Sequence, residues 1–137
     1  MNIEFLKTNA SLFKKAAERC QEKRPLANGM FGMLMVPGVV NYAFSIELYL
    51  KYLLVKNNQS SKGHELIKLF TMLDSSMRQE IINLTKYSNS DFDDLFSKHS
   101  NGFVEWRYIH EQEKEVVINI DFMRRLLDSI ESIANRP

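Results

Sequence analysis

The segment Phe103-Val104-Glu105-Trp106-Arg107-Tyr108-Ile109-His110-Glu111 packs the chain's only Trp, an Arg, a Tyr, a His and two carboxylates into consecutive positions. If the segment is helical, Arg107 and His110 stand three residues apart on one face. A guanidinium and a titratable imidazole can then meet one phosphate or carboxylate. Trp106 and Tyr108 supply flat rings of the kind that stack on bases, although a single Trp in a chain of this size also suits a core or a dimer interface. Glu105 and Glu111 add acceptors to the same surface.

A second signal comes from Glu47 and Lys51, read as a polar network with Arg107, and a separate one from His64. Glu47 and Lys51 are the only charged residues between Gly38 and Val55, and they are four positions apart, so they can pair on one helix face. A charge in a helix that is otherwise apolar is costly unless partnered. The spacing therefore indicates a polar seam entering the fold, the alternative being a helix edge open to water. His64 follows Gly63 and is expected in the first turn of the next helix, as a cap, a packing residue or part of a site.

Other chemistries are excluded by inspection. The five glycines form neither a phosphate loop nor a dinucleotide fingerprint. His110-Glu111 opens like a zinc-protease motif, but Lys114 occupies the place of the second His. One Cys and the scattered His64, His99 and His110 give no metal-ligand cluster, and no serine nucleophile elbow is present. Metal-free acid-base chemistry or binding remains, with no cofactor expected. His99 falls in the polar break His99-Ser100-Asn101-Gly102 and is given no functional weight.

A formal net charge of +1 and a pI near 7.8 lack the basic excess of a general nucleic-acid binder, so any such contact would be a local patch. Lys15, Arg19 and Lys23 line up at steps of four with Arg24 beside them, but the interleaved Glu18 and Glu22 make this a solvated face. Cys20 has no intrachain partner for a disulfide and lies on an apolar stripe, which predicts a small buried thiol and a reducing, cytoplasmic setting. The N-terminus turns polar within a few residues, unlike a signal peptide. Met30 to Val55 contains Pro37, Asn41, Ser45, Glu47 and Lys51, and each central charge costs about 2.5 to 3.5 kcal/mol in a bilayer, so no membrane span is expected.

The elements that would carry these residues are helices within a single domain over residues 1–137. Leu6, Ala10, Phe13, Ala17 and Cys20 form an amphipathic stripe that predicts a first helix running to about Lys23, ended by Arg24-Pro25. Leu26 to Val36 shows no clean period and reads as a loop or a short helix closed by Pro37-Gly38. From Val39 to Val55 apolar residues occur on every side, the mark of a central helix. After a turn at residues 57–61, Leu66, Leu69, Phe70 and Leu73 predict an inward face. Ser76 with Gln79 reads as a capping box before a helix whose Met77, Ile81 and Leu84 face inward, and Ser90 with Asp93 repeats that signal before Asp91 to Lys98. Residues 115–120 are β-branched and read as an extended connector, after which Asp121 is expected to cap a last helix with Met123, Leu127, Ile130 and Ala134 on one face. The expected fold is an all-α, up-and-down bundle of about five or six helices.

Ser45-Ile46-Glu47-Leu48-Tyr49-Leu50-Lys51-Tyr52-Leu53-Leu54, followed by Gly63-His64-Glu65-Leu66 with Leu69-Phe70, and then Trp106-Arg107-Tyr108, resembles the HEPN family of helical domains over about residues 38 to 134. The resemblance implies a helical bundle that usually dimerises, often beside a nucleotidyltransferase or in toxin-antitoxin and defence systems. It also implies that many relatives are metal-independent endoribonucleases, in which an Arg and a His separated by four to six residues meet at a dimer cleft. Here only two residues separate Arg107 from His110, and Tyr108 follows the Arg where catalytic relatives commonly carry a small polar residue. A homodimeric binding or regulatory module for a nucleotide, an RNA or a partner protein is therefore the leading expectation. An endoribonuclease with Arg107 as phosphate clamp and His110 as acid or base is the rival.

Overall fold

A computed structural model describes residues 2–99 and 119–137. Both the Phe103 to Glu111 segment and residues 115–118 of the expected connector lie outside the described residues. Six helices are described: α1 (Ile3–Cys20), α2 (Met35–Lys56), α3 (Leu66–Thr71), α4 (Ser75–Thr85), α5 (Asn89–His99) and α6 (Ile120–Ala134). The single departure from helix among them is a two-stranded antiparallel pair, β1 (Arg24–Pro25) and β2 (Phe31–Gly32).

Helix α2 is the hub, with α1, α3 and α6 packed on it and α4 packed on α6. Its apolar residues on all sides explain this position, because only a central helix can bury Val39, Tyr42, Ile46, Tyr49, Leu50, Leu53 and Leu54 together. Helix α1 lies close against it because Ala10 and Ala17, both fully buried, put only methyl groups at the contact. The Ser45 hydroxyl then donates to the Ala10 carbonyl at 2.6 Å. Ser129 of α6 does the same towards the Ile81 carbonyl of α4 at 2.7 Å, so both of these buried serine hydroxyls are satisfied by a neighbouring helix. An aromatic cluster of Phe70, Phe92, Phe96 and Phe122 joins α3, α5 and α6.

Several helix ends differ from the sequence expectation, each for a local reason. Helix α1 stops at Cys20 rather than Lys23, since the chain must turn into β1 and the Leu34 amide reaches back to the Cys20 carbonyl at 3.0 Å. Residues 26–34 form the tip and return of a hairpin, with Gly29 at φ +81° in its turn. Helix α2 begins at Met35, so Pro37 is inside its first turn, where the absent N–H has no intrahelical acceptor to lose. Gly38 lets α2 approach the end of α1 closely, since a Cβ there would lie 3.1 Å from the Cys20 Cβ and would push the two apart by a few tenths of an ångström. Cys20 is only half-buried, not the enclosed thiol expected.

The expected capping box at Ser76 does not form. Helix α4 starts at Ser75 after Asp74, and Gln79 instead bonds Asn83 and Asn89. Leu84 is 44% exposed because Ile82, two positions earlier, takes the inward place beside Ile81. Ser88 rather than Ser90 receives the Asp91 amide at the start of α5. At α6 the cap is Asn119, whose Oδ1 accepts from the Phe122 amide at 3.0 Å, which leaves Asp121 in the first turn to face Tyr87 and two arginines. Met123, Leu127, Ile130 and Ala134 are buried as the spacing requires.

Candidate functional site

Glu47 lies in the middle of α2 and is 2% exposed. Its Oε2 receives the Lys51 ammonium one helical turn on, at 3.2 Å, and the His64 Nδ1 at 3.2 Å. A carboxylate oxygen can only accept, so this geometry makes Nδ1 the protonated ring nitrogen of His64. The Lys51 side chain is 12% exposed and the His64 side chain 76% exposed, so exposure rises from the enclosed carboxylate through the ammonium to the imidazole. This places the Glu47–Lys51 pair in a seam rather than on a wet helix edge.

His64 does not sit in the first turn of a helix. Helix α3 begins two residues later, at Leu66 after Glu65. What brings the ring to Glu47 is the connection before it. Asn58 at φ 57° turns the chain out of α2, the Gln59 side chain donates to the Met72 carbonyl at 2.8 Å, and Gly63 adopts φ +102°, a conformation costly for residues with a Cβ. Gly63 therefore has a conformational role next to the seam residue.

The other oxygen of Glu47, Oε1, is closed off from water and has no hydrogen-bond partner among the described residues. Carboxylate oxygens enclosed in this way are costly without a donor. The site can accordingly accept one further hydrogen bond at Glu47, while the Lys51 ammonium keeps N–H donors beyond the one it gives to Glu47. Among the described residues no group of three or more His, Cys, Asp or Glu side chains is placed to hold a metal ion. No described helix is long and apolar enough to cross a membrane.

Of the residues singled out in the sequence, Glu47, Lys51 and His64 are brought together. Glu105, Trp106, Arg107, Tyr108, His110 and Glu111 lie outside the described residues. The roots of that segment are defined, however, by a residue the sequence gave no weight. His99 ends α5, is buried, and packs tilted against Phe122 with ring centroids 5.5 Å apart. Its Nδ1 faces the Leu95 carbonyl at 2.7 Å and its Nε2 accepts from the Asn119 amide at 2.7 Å. This pair of roles fixes a neutral ring with the proton on Nδ1. The two ends of the stretch carrying Arg107 and His110 thus meet at one imidazole.

A second polar cluster also had no sequence signal. Lys14 of α1 reaches Glu131 at 2.6 Å and Asp128 at 2.8 Å, and the Tyr49 hydroxyl donates to Glu131 at 2.9 Å. Partial burial works against the Lys14 ammonium, but Asp128 and Glu131 outweigh it and hold it above its ordinary range. Burial, and then the bond to Glu131, push the Tyr49 hydroxyl up as well. Lys14 of α1 and Tyr49 of α2 both bond Glu131 of α6, which is a clasp for α1, α2 and α6.

Comparison with known families decides the affiliation. The family model described as the HEPN domain matches residues 38–135, most of the chain. The chain belongs to the HEPN family. The matched part of this HEPN domain contains α2 from Gly38 onwards, α3 to α6, and Glu47, Lys51 and His64, whereas α1 and the hairpin precede it. No curated protein and no solved structure gives a significant match.

Proposed function

We propose that this HEPN domain is a homodimeric binding and regulatory module whose ligand is a nucleotide or RNA, acting in a toxin-antitoxin or defence-type setting in the cytoplasm. The observation that carries the reading is the buried Glu47 with one oxygen shared by Lys51 and His64 and the other without a partner among the described residues. An enclosed acceptor of this kind suits an arginine, and we assign Arg107 as the anchor that joins Glu47. Glu105, Trp106, Tyr108 and Glu111 then border the same groove, with Trp106 at the dimer contact or against a base. Lys51 favours a phosphate-bearing ligand over a protein partner such as an antitoxin or a nucleotidyltransferase, since its ammonium keeps N–H donors for an anion beyond the one given to Glu47, and the exposed His64 ring sits on the same Glu47 oxygen.

Titration of a fluorescein-labelled single-stranded RNA and of labelled nucleotides with the full chain tests the reading, alongside the mass in solution of wild type and Trp106→Ala. Additive effects of Glu47→Gln and Arg107→Ala on stability and on binding would remove the anchor.

The rival reading, a metal-independent endoribonuclease, is favoured by the closeness of Arg107 and His110 in a chain of this family. Arg107 would stabilise phosphate charge and His110 would transfer the proton. It requires RNA cleavage that persists with a chelator and is abolished by His110→Ala.

A further inference from the structure

A cleft of about 500 Å³ opens between α3, α4 and α5, lined by none of the three seam residues. Its apolar lining includes Phe70, Phe92 and Phe96, whose ring centroids are 5.3 to 5.5 Å apart. Arg78 of α4 lines the same cleft, and its Nε is shut off from water with no acceptor among the described residues. Its guanidinium makes no ion pair or side-chain hydrogen bond among the described residues, so an apolar cleft holds a cation that no described carboxylate neutralises. Asp93 of α5 also lines the cleft, yet among the described residues it makes no ion pair with Arg78.

From this arrangement we infer that the cleft is a binding site for a small aromatic monocarboxylate. The planar fork of Arg78 matches a carboxylate, and the phenylalanine surfaces take the ring. Asp93 repels a second negative charge, which selects a carboxylate over a phosphate dianion. The volume falls within the range of about 300 to 1,000 Å³ usual for small-molecule sites. This site is independent of the proposed nucleotide or RNA surface, and neither reading depends on the other.

Calorimetric titration of the full chain with 3-phenylpropionate, phenyl phosphate and 3-phenylpropanol tests the assignment. Phenylpropionate binds best, Arg78→Gln weakens it about tenfold with an unchanged thermal midpoint, and Ser97→Trp, at an exposed position on the cleft wall, blocks it. Equal binding of the alcohol, tighter binding of phenyl phosphate, no binding of phenylpropionate, or binding indifferent to both variants each overturns the site.

Discussion

His99 holds the Asn119 amide at 2.7 Å across twenty positions of chain, and its other ring nitrogen is spent on the Leu95 carbonyl. One buried imidazole thereby ties the end of α5 to the cap of α6. In sequence, Arg107 and His110 lie between these two tied positions.

Replacing His99 by Ala should therefore be among the more damaging single changes in the domain. It orphans the Asn119 amide and removes ring contact with Phe122. A loss of about 2 to 4 kcal/mol is expected. Urea unfolding followed by circular dichroism measures it, and a loss within experimental error would show that the tie bears no weight.

The α1–α2–α6 clasp predicts an alkaline limb. Tyr49 has its hydroxyl pushed up by burial and by Glu131, so its contribution is complete below the ordinary tyrosine value of 10.0 and declines as pH rises above it. Lys14, held above its ordinary 10.5, loses its contribution over the same rising range. Tyr49→Phe should lower stability at pH 7 by about 1 kcal/mol through the lost bond to Glu131, and should flatten the decline above pH 10. Thermal midpoints between pH 7 and pH 11 report both effects.

An acid limb is expected from the start of α6. The Tyr87 hydroxyl that donates to Asp121, with Arg125 and Arg124 beside it, holds that carboxyl below its ordinary value of 3.8. A lowered carboxyl pKa gives stability that is present above the unfolded value and lost as pH falls through the folded one. Tyr87→Phe should accordingly show a shallower loss below pH 4 than wild type. Parallel acid titrations of the two proteins that superimpose would contradict the assignment.

Glu47 and His64 should separate cleanly in stability measurements. Glu47→Ala strands Lys51 in a largely enclosed position and should cost about 3 to 5 kcal/mol, while His64→Ala, removing an exposed ring, should cost less than about 1 kcal/mol. Comparable losses for the two would mean that the seam is not organised around the carboxylate.

The helices themselves were legible because burial imposes a period. The Leu6, Ala10, Ala17 stripe, the all-round apolar α2 and the Met123, Leu127, Ile130, Ala134 face all reappear as buried surface. The ends were less legible, since capping side chains compete within a few residues of one another: Asn119 takes the place expected of Asp121, and Ser88 that of Ser90. Leu26 to Val36 carried no period because a hairpin with two residues per strand buries too little to need one. The Glu47–Lys51 pair could be read from its spacing alone. The third member, His64, arrives through a left-handed turn at Asn58 and Gly63, and spacing does not encode such a path. His99 was invisible for a related reason: its partners are two backbone groups and a ring edge, none of which leaves a residue pattern.

The central claim is that the Glu47–Lys51–His64 line borders the surface on which a nucleotide or RNA is held. It is tested most directly by fluorescence anisotropy with a labelled single-stranded RNA, comparing the wild type with His64→Ala, a change that should leave the fold intact. The account predicts binding to the wild type that rises at low salt and is about tenfold weaker in His64→Ala, with equal urea midpoints. Binding of equal strength in the two proteins, or none in the wild type, would contradict it.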